Sequence, residues 1–339
     1  MATELPADHP PIKTPKIGVL LLNLGTPDGT DYWSVRRYLS EFLSDTRVIE
    51  TNQLIWQPIL QGIILSTRPQ KSGENYERIW DRAANDSPLR VISRRQAEKL
   101  QVRLGDGVVV DFGMRYGNPS TASRIEALQQ AGCQKILLVP LYPQYSATTT
   151  ATANDRAFDA LRKMRWQPAV RTMPAYFEEP AYVEALARSI EDGVASLDFE
   201  PDVVLTSYHG MPKVYLERGD PYHCQCVKTT RLVREHLGWP KEKLMVTFQS
   251  RFGPTEWLQP YTDETLMTLP GQGKKKVAVV APAFSVDCIE TLEEIAITGR
   301  EQFEHAGGEK FAYLSCLNDS EGGMAMLETL VRNELGGWL

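Results

Sequence analysis

Cysteine is scarce and scattered in this sequence: Cys133, Cys224, Cys226, Cys288 and Cys316 are the five in 339 residues. An odd, dispersed set is unlike the dense, even framework of small secreted domains, which argues against a disulfide-stapled fold and for a reducing, cytoplasmic setting. Long apolar runs are missing too. Stretches such as VLLLN and VAVVAPAF fall far short of the roughly 20 residues that span a bilayer, so contact with a membrane is peripheral at most. The opening MATELPADHPPIKTPK has no apolar core of a signal peptide, and its prolines predict a loose arm ahead of the fold. Basic charge is also short. With 37 Lys and Arg against 43 Asp and Glu the net charge is -6, and no basic stripe offers itself to phosphates, which argues against nucleic acid as a partner. A small-molecule partner fits better.

What is present is alternation. Apolar runs bounded by Gly, Pro or polar residues occur at 16–25, 107–116 and 135–143, and again at 202–210, 244–251, 275–285 and 310–318; these read as buried strands. Between them lie segments of helical spacing such as TASRIEALQQAG, AYVEALARSIEDGVASL, TTRLVREHLG and IETLEEIAITGREQFEHAG. Several end at glycine, as helix C-termini commonly do. Strand–helix alternation calls for parallel sheets covered by helices, because parallel neighbours need a crossover. The length is about that of two domains of roughly 150 residues. The expectation is therefore an α/β protein of two Rossmann-like lobes, 16–150 and 151–315, with the remaining 316–339 as an amphipathic helix packing back on them as a clasp.

In open parallel sheets ligands bind beyond the carboxyl ends of strands. VVLTSYHGMP ends such a run on His209, and APAFSVDCIETLEEI passes from a strand into a helix on which Asp287, Glu290 and Glu294 stand at i, i+3 and i+7. That spacing predicts three carboxylates on one helix face. Taken alone, the histidine reads as a satisfied loop residue and the acids as a solvated stripe. Taken together, two strand ends of one sheet can bring His209 and Glu290 into a nitrogen and oxygen pair suited to Fe²⁺ or a similar divalent metal. His223, Cys224 and Cys226 offer a rival set, but zinc normally takes four ligands and the second pair is missing; the alternative is a loop entering a helix at KTTRL. Arg115 and Tyr116 end another strand, and Arg68 follows the apolar Trp56, Ile59, Leu60, Ile63, Ile64 and Leu65. A greasy wall with guanidinium clamps would suit a flat apolar ligand bearing carboxylates.

Ordered blocks run through nearly the whole chain: LLLNLGTP, SGENYERIW, SPLRVISRRQ, MRYGNPS, LVPLYPQYSATTT, SYHGMP, RGDPYHCQC, FQSRFGPTEWLQPYTDETL and FSVDCIETLEEI. Together they closely resemble the ferrochelatases of haem biosynthesis in their bacterial form. The resemblance implies a chelatase-like fold and a lyase that puts Fe²⁺ into protoporphyrin IX to give protohaem and two protons, the last step of haem biosynthesis. It further implies that His209 and Glu290 are the active-site pair, holding iron and accepting protons, and that Asp287 and Glu294 belong to an acidic path. Arg68, Tyr76, Arg115, Tyr116 and Trp257 fall at or near the porphyrin pocket, and 52–65 on its apolar lip. Protoporphyrin IX and ferrous iron are then the partners of a monomer or weak dimer, with no obligatory cofactor. Two positions depart from common family patterns. Cys288 stands where many members have histidine. Ala147 stands where some have a cysteine for a [2Fe-2S] cluster, and with no cysteine after Cys316 no cluster is expected by that scheme. Two rivals stay open: a chelatase for another tetrapyrrole or metal, such as coproporphyrin or cobalt, and a non-catalytic carrier, in which loss of His209 or Glu290 would be expected.

Overall fold

Each apolar run finds a parallel neighbour. The computed structural model describes residues 8–9 and 14–339, so most of the expected N-terminal arm lies outside the described residues. In the first sheet β1 (Lys16–Thr26), β2 (Val108–Gly117), β3 (Cys133–Pro140) and β4 (Ala169–Thr172) take the order β2-β1-β3-β4. In the second, β5 (Val203–His209), β6 (Leu244–Gln249), β7 (Lys276–Val280) and β8 (Lys310–Leu314) take the order β6-β5-β7-β8. Every pairing in both sheets is parallel. The central strand β1 shows why its sequence runs apolar without alternation: helices cover both faces, and Val19, Leu20, Leu21 and Leu22 are all buried.

β4 was not anticipated. It has only four residues, AVRT, and none is buried, so neither length nor burial marks it in the sequence.

The two sheets share one core. A single apolar cluster takes Val19, Leu21 and Val139 from the first sheet and Val204, Ala278 and Val280 from the second. It continues through Leu100 of the helix Pro88–Leu104, Leu186 and Ile190 of Pro180–Ala195, and Leu327 and Val331 of Glu321–Glu334. Each valine, leucine or isoleucine side chain among them, fully buried, contributes about 1.5–3 kcal/mol. The last helix therefore packs back as expected, and it touches both of the other two. Arg103 bonds Glu328 at 3.0 Å, and Arg332 reaches the Arg103 carbonyl at 2.7 Å.

The lip predicted at 52–65 is a helix interrupted by a wider turn: Gln53–Ile59, a π-helical turn Leu60–Ile64, then Leu65–Ile79. Asn52 caps it by accepting from the Leu54 N–H at 2.9 Å. Leu60 and Leu65 are buried against Leu43, whereas Leu54 is 86% and Ile63 62% exposed. Among the described residues no helix is long and apolar enough to cross a membrane.

Candidate active site

His209 is the last residue of β5, paired in register with Gln249 at the end of β6. Its Nδ1 lies 2.7 Å from the Gly210 carbonyl oxygen. A carbonyl can only accept, so Nδ1 carries the proton, and in the neutral ring Nε2 is left with a free lone pair. Glycine is required next. A Cβ at 210 would sit 2.6 Å from the Gln249 carbonyl and 3.2 Å from the Trp257 ring, which shows how closely Trp257 covers the turn after the histidine. Trp257 is held there by a bridge to Pro212.

Glu290 comes from the segment after β7. Its helix, Ile289–Leu292, starts from Cys288, whose N–H donates to the Thr291 hydroxyl oxygen at 3.0 Å. Gln249, the strand partner of His209, also donates its side-chain amide to the Glu290 carbonyl oxygen at 2.8 Å. One residue thus ties together the segments that carry the two groups. The Glu290 carboxylate acts on the buried hydroxyls of Tyr38 and Tyr76 in the first lobe; burial first, then neighbours including this carboxylate, push both well above the usual tyrosine range. Both tyrosines stay neutral. They meet edge to face at 6.4 Å, so a wall of neutral aromatic groups faces the acid.

Glu294 lies in electrostatic reach of both His209 and Glu290. Its carboxylate accepts from the Ser250 N–H at 2.7 Å and the Ser250 hydroxyl at 2.6 Å. Burial raises its pKa above the ordinary glutamate value; the Ser250 bonds and His209 oppose this, and Glu290 adds to it. A cavity of about 290 Å³ opens beside it, lined by Ser250, Arg251, Asp263, Glu294, Thr298 and Gln302 among others. An imidazole at the carboxyl end of β5 and two carboxylates from the segment after β7 are thus in electrostatic reach through Glu294, an arrangement that can exchange protons.

A family model described as Ferrochelatase matches residues 16–335. The ferrochelatase of Allorhizobium ampelinum is 63% identical over 341 residues, covering 100% of this chain and 99% of that protein. That of Rhizobium meliloti is 61% identical over 334 residues, covering 98% of each. The chain belongs to the ferrochelatase family. Its fold is also found in SirB from Bacillus subtilis with Fe³⁺, at a TM-score of 0.51 and 12% identity over 94% of this chain and 95% of that one. A sirohydrochlorin chelatase SirB from Bacillus subtilis subspecies spizizenii, in complex with cobalt, gives a TM-score of 0.51 at 10% identity over 94% of each chain.

Several residues singled out in the sequence behave differently once this ferrochelatase-family fold is formed. Arg115 is not a free clamp: its guanidinium bonds the Thr152 hydroxyl at 2.6 Å and the Asp45 carboxylate, which also accepts from the Tyr116 hydroxyl at 2.8 Å and from Thr152. Arg115 and Tyr116 are thereby committed to an internal partner at the edge of an open cleft of about 760 Å³. Arg68 is different. It is exposed, carries no ion pair among the described residues, and lies 4.4 Å over the Phe252 ring of the other lobe. Tyr76 is buried against Tyr38, as above. The three acids do not share one α-helical face, because the helix starts after Asp287 and opens into a π-helical turn, Glu294–Gly299. Asp287 is buried and accepts from Thr291, Tyr313, Asn318 and the Cys316 N–H.

The thiol site dissolves. The helix begins at Tyr222, ahead of KTTRL, and sends these side chains in different directions: Cys226 is buried with Tyr208, Met211 and Phe248, Cys224 is exposed, and His223 stacks on Phe248 at 5.6 Å. Among the described residues no three His, Cys, Asp or Glu side chains group to hold a metal. Cys288 is buried, and burial, then Glu290, push its thiol well above its usual range. Gln249, Ser250, Tyr38 and Asp45 were missed. The strand-end rule that found His209 would have found Gln249 and Ser250, whereas no local pattern marks the other two.

Proposed function

We propose that this member of the ferrochelatase family inserts Fe²⁺ into protoporphyrin IX to give protohaem and two protons, with His209 and Glu290 at the reacting centre. The observation that carries the reading is the free Nε2 lone pair of His209 beside a Glu290 backbone anchored by the same Gln249. Two pyrrole protons must leave as the metal enters, and an imidazole and a carboxylate are two acceptors for them. Both are also ligands for a divalent metal of intermediate softness. Two protein donors leave most coordination positions to water and then to ring nitrogens, which suits a substrate ion that is handed on.

The lip and the tyrosine wall supply apolar surface for a flat macrocycle, Trp257 closes the turn beside His209, and Arg68 offers an unpaired guanidinium to its carboxylates. The cavity at Glu294 supports a polar route to the centre. Asp287, saturated by four donors, has the character of an anchor in place of a step on that route. The exposed Leu54 and Ile63 also suit peripheral contact with a membrane surface.

Loss of protoporphyrin fluorescence on anaerobic addition of Fe²⁺ tests the activity, with coproporphyrin as the competing substrate. In His209→Ala kcat falls by at least about 100-fold while porphyrin binding persists. Normal turnover in that variant would remove His209 from the mechanism.

A further inference from the structure

Asn318 sits just beyond β8, far in sequence from either proposed reacting group, with a backbone φ of 50°. A residue with a β-carbon adopts this left-handed geometry at a cost, and asparagine tolerates it better than most. Every polar atom of Asn318 has a protein partner. Its N–H donates to the Ser285 carbonyl at 3.0 Å, its Oδ1 accepts from the Asp287 N–H at 2.8 Å, and its Nδ2 donates to the Asp287 carboxylate at 2.6 Å. Three bonds therefore fall on the segment that runs from β7 to Glu290. The fourth atom, the carbonyl oxygen, accepts from the buried side chain of Gln96 at 2.8 Å, on the helix Pro88–Leu104 of the first lobe.

The anchorage reaches the acid directly. The carboxylate that Asn318 holds accepts from Thr291 at 2.9 Å and from Tyr313 at 2.5 Å, and the same Thr291 hydroxyl caps the short helix bearing Glu290. Ser285, held by Asn318 at the other end, donates to the Leu141 carbonyl of the first lobe at 3.0 Å. Asn318 thus joins first lobe, loop and helix start in one bonded chain.

We propose that Asn318 is a positioning residue for iron insertion: clipped to both the backbone and the carboxylate of Asp287 and tied through Gln96 to the opposite lobe, it fixes where Glu290 points. This rests on the reading of Glu290 as a reacting group. Asparagine is specifically needed, since one face of its amide must accept from an N–H while the other donates to a carboxylate. Aspartate would keep the first bond and set two carboxylates against each other.

The test is N318D against the exchanged pair D287N/N318D, which restores one donor and one carboxylate across the same contact. Each is measured for kcat, for porphyrin Kd by fluorescence quenching, and for Tm. In N318D kcat falls about 10- to 100-fold, as for other lost supports of a site, with Kd within about threefold; the exchanged pair regains most of the lost kcat. Wild-type turnover in N318D overturns the proposal. So does an exchanged pair as slow as N318D, the outcome expected if Asp287 itself relays protons. If N318D does not fold, N318G keeps the left-handed backbone and removes only the side-chain clip, and a folded N318G with wild-type kcat overturns it equally. E290Q, measured alone, separates the two levels: its full activity would sink the Glu290 reading whatever residue 318 does.

Discussion

Asp45→Ala gives a severe test of how the first lobe is held together. The Asp45 side chain is 6% exposed and that of Arg115 12%, so removing the acid leaves a guanidinium with little water around it. Breaking a buried pair by deleting one partner costs about 3–5 kcal/mol. The lower end applies here, because Thr152 still accepts from Arg115 Nε and the neighbouring cleft admits water. A loss of about 3 kcal/mol, at about 2 °C per kcal/mol for a chain of this size, lowers Tm by about 6 °C. Acid sharpens the test. Burial raises the Asp45 pKa, but the Thr152 hydroxyl, the Arg47 N–H, the Tyr116 hydroxyl and Arg115 together lower it more, and it ends below the ordinary aspartate value. A depressed folded pKa means that the unfolded chain takes up the proton first. The Asp45 contribution is therefore complete above the unfolded pKa of about 3.9 and disappears as pH falls through the folded value. Thermal melts of wild type and Asp45→Ala should differ most at neutral pH and converge in acid. A variant within about 1 °C of wild type at pH 7, or a gap that widens in acid, would refute the reasoning.

Glu290→Gln keeps size and removes charge, so kcat falls by about 100-fold or more in the anaerobic iron assay, with porphyrin affinity little changed; an active variant counts against it as base or ligand. Gly210→Ala drives a methyl into the Gln249 carbonyl, costs about 1–3 kcal/mol, and displaces His209 enough to lower kcat about 100-fold; steady-state kinetics at wild-type values would show that the turn has slack. Arg68→Ala raises the porphyrin KM about tenfold, the loss of one charge-assisted contact, and leaves kcat alone; an unchanged KM would mean the guanidinium does not meet substrate.

Among the described residues, seven of the eight strands were legible because buried parallel strands write themselves as unbroken apolar runs, as VLLLN does in β1. His209 was legible as a strand-end residue of the kind that open sheets expose. The failures share a cause, dependence on partners far away in sequence. Arg115 looked free because its acid, Asp45, comes from a different element, and Tyr116 is drawn to the same oxygen. Asp287 looked like one of three aligned carboxylates because i, i+3, i+7 presumes an unbroken α-helix, whereas the helix starts late and widens at Glu294. β4 gave no signal, being four residues long without a buried face. Asn318 carries no motif, and its anchorage emerges only when four bonds from two segments converge on it.

The apolar layer common to both sheets bears on how a rigid macrocycle gets in and out. Swinging the halves apart like a clamshell would wet Leu186, Leu327 and their neighbours all at once, so wide hinge opening is too expensive to occur on every turnover. The segment Gln53–Ile79, with its π-turn and solvent-facing Leu54 and Ile63, lies outside that layer and can shift without wetting it.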